Sequence, residues 1–189
     1  MITDRLSGAF TEPAQQSARA FRQVLQVLSR PGRIEILSGA LPPPPLSVAA
    51  GVVALVLVDG TVPVHLAGAL DCAAVRDWLG FHCGARFVAA EQAAIAFGTL
   101  DSLQPLSRFA IGTAEYPDRA ATLVIEVPRL APEGTVLRGP GIDGTARLSL
   151  PAPGSFAANA ALFPLGFDSL LTCGAALAGL PRSTRLEGF

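Results

Sequence analysis

Lysine is missing from this 189-residue chain, so all fourteen basic residues are arginine. A phosphate-binding loop of the G-x-x-x-x-G-K-[ST] kind is therefore excluded, because the lysine that reaches the phosphates does not exist. Histidine is scarce, with His65 and His82 alone, and the three cysteines, Cys72, Cys83 and Cys173, show no C-x-x-C spacing. These residues offer no zinc-site pattern and no disulfide framework, and they suit reduced thiols in a cytosol. Charge is low as well, at 15% of residues with a net of -1, and no basic stripe runs along the chain to neutralise a nucleic-acid backbone. Long apolar runs are also absent. The longest, Leu46 to Val58, covers about thirteen residues against the roughly 20 needed to span a bilayer. Met1-Ile2-Thr3-Asp4-Arg5 lacks the basic-then-apolar pattern of a leader peptide, so the expected location is the cytoplasm, away from membranes.

What is present is apolar. Half of the residues are hydrophobic, and a chain of this length folding as one domain (1–189) buries roughly 70% of its unfolded surface. Ala18, Phe21, Val24, Leu25 and Leu28 recur at helical spacing within 17–28, and Pro31-Gly32 ends that helix. A short strand over 33–37 and a stiff Pro42–Pro45 loop follow. Ser47 is placed to cap a helix over 48–57, a run whose uniform apolarity fits a buried strand as well. Strands are expected at 62–67, 94–97, 122–127 and 136–138. Helices are expected from an Asp71 cap to Phe81, around 102–109, and from a Ser155 cap to Leu162. Segments 169–173 and 176–180 form a hairpin about Gly174. Interleaved helices and strands predict an α/β layered fold with a mixed sheet flanked by helices.

Few residues suggest chemistry. Gly139-Pro140-Gly141-Ile142-Asp143-Gly144 matches G-x-G-x-x-G, but a strand-like alternation ending at Pro151 follows it where a dinucleotide site needs a helix, so a turn between strands is expected. His65 alternates with Val64 and Leu66 as a strand residue. His82 beside Cys83 would make a base and thiol pair, against the reading of Cys83 as inert packing. Asp59 reads as a turn residue. Asp168, between Phe167 and an apolar strand, needs a partner if buried, and Arg182 is the candidate. Their union is either a structural ion pair or a contact to an anion or nucleotide at a subunit seam.

The block Phe163-Pro164-Leu165-Gly166-Phe167-Asp168, with Leu171-Thr172-Cys173-Gly174 and Leu180-Pro181-Arg182-Ser183-Thr184, resembles the C-terminal signature of the PhnH family, a component of the bacterial phosphonate carbon-phosphorus lyase core complex. Ala20-Phe21-Arg22, Pro31-Gly32, Phe81-His82 and Gly139-Pro140-Gly141-Ile142 extend the likeness over most of the chain. The resemblance implies a fold like the large domain of pyridoxal-phosphate-dependent transferases, without the cofactor. The lack of lysine agrees, since that cofactor is held as a lysine Schiff base. It also implies an accessory subunit, itself not catalytic and without cofactor or metal, acting with subunits G, I and J where ATP and methylphosphonate yield ribose 1-methylphosphonate 5-triphosphate. In isolation it implies a homodimer.

Ligand or partner candidates carried over with the family are Arg22, His82, Asp168, Arg182 and Thr184. Departures are Gly80, where a larger and often basic residue is expected before Phe81-His82, and Ser183 in place of a threonine. Two competing readings are an independent small-molecule enzyme using His82 and Cys83, and a nucleotide-binding regulator with Arg182 and Arg22 on the phosphates.

Overall fold

The computed structural model describes residues 6–188, so the N-terminal segment that is unlike a leader lies outside the described residues. Its centre is a seven-stranded sheet built from β1 (Ile34–Ile36), β2 (Pro63–Leu66), β3 (Arg86–Phe87), β4 (Ile95–Thr99), β5 (Thr122–Glu126), β8 (Asp168–Cys173) and β9 (Ala176–Leu180), in the order β1-β9-β8-β5-β4-β2-β3. Strands β3, β2, β4, β5 and β8 run parallel, and β9 is antiparallel to both of its neighbours. The expected α/β mixed sheet is thus observed. A second sheet of three antiparallel strands, β6 (Thr135–Arg138), β7 (Ala146–Leu148) and β10 (Arg185–Leu186), has the order β10-β6-β7.

Central strands of a parallel sheet are covered on both faces and read as continuous apolar runs. Ile95 to Gly98 and Leu123 to Ile125 are accordingly buried at every position. One face carries α1 (Pro13–Ser29), α2 (Val48–Leu57) and α3 (Ala73–Cys83), with Val24, Val27, Val52, Trp78 and Leu79 packed against Val64, Phe97 and Leu170. The other face carries α4 (Leu100–Leu103), α5 (Pro153–Ala160) and the small sheet, which contribute Leu103, Phe156, Leu137 and Leu148 around Leu123, Ile125 and Leu171. Among the described residues no helix is long and apolar enough to cross a membrane.

Several boundaries differ from the sequence reading. Helix α1 begins at Pro13, four residues before the periodic stretch, because a proline in the first turn loses no hydrogen bond there. The run from Val48 is the helix alternative: Ser47 Oγ accepts from Ala50 N at 3.2 Å, and Ala49 to Ala54 are all buried. Asp71 does not cap α3. Cys72 holds the cap position with no side-chain bond, and Asp71 accepts from Arg76 Nε instead, a charged partner displacing backbone amides. Ser155 lies inside the first turn of α5, which starts after Ala152 at φ +43 and stops at Ala160. The helix expected around 102–109 is split by Pro105 into α4, boxed by Thr99 and Ser102, and a 3-10 turn over Leu106–Arg108. Asp59 is the turn residue expected, accepting from Thr61 N at 2.7 Å.

Helix α1 rides directly on β9. A Cβ at Gly179 would stand 2.5 Å from Val27 O, so only glycine lets the helix backbone approach this strand. Backbone cannot swing away as a side-chain tip does. Gly179→Ala is expected to destabilise the fold by about 2 kcal/mol, read as a lower urea midpoint at unchanged m-value.

Candidate functional site

Ligands of open α/β sheets sit beyond the carboxyl ends of the strands where the strand order reverses. Here that point lies between β2 and β4, since β3 was laid on one side of β2 and β4 on the other. Ser102 stands close to it. Ser102, on α4, packs so closely that a Cβ at Gly68 would meet its Cβ at 2.7 Å, and one at Gly98 its Oγ at 2.7 Å. Further along the same edge Glu126 ends β5. Its Oε1 accepts from Ser47 N at 2.9 Å and its Oε2 from Thr172 Oγ1 at 3.0 Å. The carboxylate thus serves the amino end of α2, where negative charge is favoured, and ties β5 to β8.

The C-terminal block is explained by close fitting around β8. Gly166, at φ +111, has Asn159 Oδ1 where a Cβ would stand, 2.7 Å away. That gap lets the buried Asn159 amide mimic a strand partner: Phe167 N donates to Oδ1 and Nδ2 donates to Phe167 O, both at 2.9 Å. Asp168 then opens β8. Its Oδ1 accepts from Arg182 N at 2.9 Å and Nε at 3.2 Å, and its Oδ2 from Nη2 at 2.6 Å. Arg182 Nη1 donates to Pro117 O at 2.7 Å, which pins the loop before β5. The guanidinium side chain is 14% exposed and the carboxylate 30%. The geometry agrees with the structural ion-pair alternative, and every Arg182 donor group named here has an internal acceptor. Thr184 is buried, with Oγ1 unpartnered among the described residues.

His82 and Cys83 point to different partners and are not bonded to each other. Adjacent helical residues diverge: His82 Nε2 donates to Leu6 O at 2.7 Å, with its ring edge-on to Trp78 and Phe81, while Cys83 Sγ donates to Ala54 O at 3.7 Å. Trp78 Nε1 donates to Ser7 O at 2.9 Å, so the two rings together anchor the chain's described beginning. Burial pushes the Cys83 thiol up to about 11. A thiol held protonated in this way is a poor nucleophile. His65 packs edge-on to Phe109, with Nδ1 3.1 Å from Val88 O. Arg22 is exposed on α1, and no hydrogen bond or ion pair joins it to Arg182. Gly139 to Gly144 form the turn between β6 and β7 that the sequence predicts.

The family model described as bacterial phosphonate metabolism protein (PhnH) matches residues 8–187. The chain belongs to the PhnH family. A relative from Rhizobium meliloti (strain 1021), named alpha-D-ribose 1-methylphosphonate 5-triphosphate synthase subunit PhnH, is 41% identical over 190 residues, covering 96% of this chain and 95% of that protein. A protein of Stutzerimonas stutzeri, HtxG, named as a candidate C-P lyase subunit, is 32% identical over 184 residues, covering 93% and 87%.

Sequence reasoning missed Asn159, Glu126 and the arginines of β6 and β10. A lone amide inside Ala157-Ala158-Asn159-Ala160-Ala161 was the available signal, because an amide among apolar neighbours needs partners. Nothing in the sequence tied Glu126 to Ser47, 79 positions away.

Asp168→Asn strips the charge from the partner of a largely buried guanidinium and is expected to cost about 2 kcal/mol of stability, below the roughly 3–5 kcal/mol of a fully buried broken pair because water reaches the carboxylate, measurable by urea denaturation. For Cys83, a disulfide probe at pH 8 is expected to leave it unlabelled until the chain unfolds. With its folded pKa raised, the thiol's contribution to stability is complete below the ordinary thiol range and is lost as pH rises towards about 11. Rapid labelling of Cys83 in the folded protein would contradict the burial.

Proposed function

We propose that this PhnH-family chain is an accessory, non-catalytic subunit of the carbon-phosphorus lyase core complex, required where ATP and methylphosphonate are converted to ribose 1-methylphosphonate 5-triphosphate. The observation that carries the reading is the near full-length match to a relative named as a subunit of that synthase. The chemistry of the interior supports it. The Cys83 thiol is buried and held protonated, the Asp168 carboxylate is tied to Arg182, and Ser102 packs close against Gly68 and Gly98 at the strand ends.

The reading extends to partners and place: subunits G, I and J in the assembly, a homodimer when isolated, and a cytoplasmic setting. Exposed Phe21 and Leu25 on α1, Ile36 on the edge strand β1, and Phe81 on α3 support it, since large apolar side chains left in water mark contact surfaces. Arg22 shares α1 with them and is assigned a partner contact; His82, Asp168, Arg182 and Thr184 hold the surfaces in shape from within. We also read the seven-stranded sheet as that of the large domain of pyridoxal-phosphate-dependent transferases with the cofactor function lost. Its mixed sheet, with the single antiparallel strand β9 set one place in from the edge, and the absence of lysine support this.

Deleting the gene in frame is expected to abolish growth on methylphosphonate as sole phosphorus source and to leave growth on phosphate intact, while the purified chain alone turns over neither ATP nor methylphosphonate. Growth of the deletion strain on methylphosphonate would remove the proposal.

A further inference from the structure

A cavity of about 790 Å³ opens between the small sheet and α5, away from the crevice at the strand ends, lined among others by Arg138, Ala157, Phe163, Ser183 and Arg185. Arg138 on β6 and Arg185 on β10 are direct partners in antiparallel register, so both side chains leave the small sheet on the same face. Like charges in that relation repel, and a fold keeps such a pair when something answers the charge. Glu187 pairs with Arg138 and also lines the cavity, and Arg138 Nη1 donates to Gly144 O at 3.3 Å. No described carboxylate, carbonyl or ring engages Arg185. The cavity therefore holds two guanidiniums against one carboxylate.

We propose that this cavity binds a phosphorylated small molecule, with the phosphoryl group between Arg138 and Arg185 and its sugar or base against Phe163 and the alanine face of α5. Planar guanidiniums grip phosphoryl oxygens in two-pronged fashion, and a phosphoryl group brings enough negative charge to satisfy Arg185 and draw Arg138 from the exposed Glu187. The volume fits a ligand larger than bare phosphate, since small-molecule pockets span about 300–1,000 Å³. Phe163 is 60% exposed, so its ring is available as the apolar wall. The backbones that carry the arginines are locked together: a Cβ at Gly139, next to Arg138, would stand 2.9 Å from Ser183 O. This places the anion site at Arg138 and Arg185, distinct from the buried, internally paired Arg182. It does not depend on membership of the lyase assembly.

Isothermal titration of the purified chain with ATP, ribose 5-phosphate, inorganic phosphate and adenosine, at low and high salt, tests it. ATP or ribose 5-phosphate is expected to bind saturably at one site and at least about tenfold more tightly than inorganic phosphate, weakening as salt rises, and adenosine not at all. Which of the two binds distinguishes a nucleotide from a sugar phosphate. Arg185→Ala is expected to weaken that binding about tenfold and Arg185→Glu to abolish it, both with an unchanged melting temperature, because Arg185 has no internal partner to lose. Absence of saturable heat from both phosphorylated compounds at millimolar concentration overturns the proposal. So does equal binding by Arg185→Glu, or a variant whose only defect is release from co-purifying subunits, which would assign the arginines to an acidic protein surface. The titration uses the chain alone and the growth assay the deletion strain, so either reading can fail without the other.

Discussion

The return of β9 against β8 is the constraint on which the remaining structure hangs. These strands pair from Ser169 with Leu180 to Cys173 with Ala176, and β9 runs against the parallel direction of the sheet it completes. Without it, β1 would have no neighbour and α1 no floor, because β9 alone connects β1 to the sheet and meets the backbone of α1 at Gly179. The strand's exit is fixed as firmly. Arg182 is bound through its backbone and its guanidinium to Asp168 at the start of β8, so both ends of the hairpin are clamped by one carboxylate and one turn at Gly174. From that clamp the chain passes through Ser183 and the buried Thr184 into β10, which sets the position of Arg185 opposite Arg138.

The C-terminal block is accordingly a structural joint. Gly166 makes room for Asn159, Asn159 holds Phe167, Phe167 fills the core, and Asp168 fastens the exit of β9. Each residue type is demanded by its neighbour. A buried amide with both of its hydrogen bonds satisfied specifies one arrangement, since losing either would leave a polar group unpaired away from water. Each of these residue types is therefore specified by the packing and hydrogen bonds of the fold itself.

How far the sequence made this legible follows from the range of the interactions involved. Local physics was readable where Ser47 bonds three residues ahead, Gly174 turns a hairpin and Asp59 reaches Thr61. Helix α1 was readable as a helix, but its inward face is Ala20, Val24 and Val27, and Ala18, Phe21 and Leu25 of the expected apolar face are exposed. The pairing of Asp168 with Arg182 was readable too, because a carboxylate facing an apolar strand demands a cation and the hairpin brings this one close. Errors arose where a distant or charged partner outcompeted a local rule. Asp71 fits a cap by position but meets Arg76, and Glu126 reads as an ordinary strand end although it serves Ser47 across the sheet edge. His82 and Cys83 are neighbours in sequence, yet a helix turns them apart, so proximity along the chain brought no bond between them. Arg138 and Arg185 belong to different strands, and their meeting depends on a register that no local pattern encodes.

A chain whose cations are all arginine uses the breadth of that side chain. Arg76 lies over Phe87, Arg108 over Phe109 and Arg119 over Tyr116, which are contacts between a planar cation and an aromatic face. Arg33, Arg76, Arg129, Arg138 and Arg182 pair with carboxylates, mostly at the surface, where such pairs contribute little to stability. Arg182 differs because it is mostly buried and donates to three separate acceptor atoms, so it acts as a structural cross-link. Arg185 differs in the opposite sense. It has neither ring nor carboxylate among the described residues, it faces a like charge across the small sheet, and it borders the cavity beside α5. Several surface arginines share that lack of an internal partner, and among them Arg185 is the one that borders this cavity, which is the arrangement expected of a cation that awaits a partner from outside the chain.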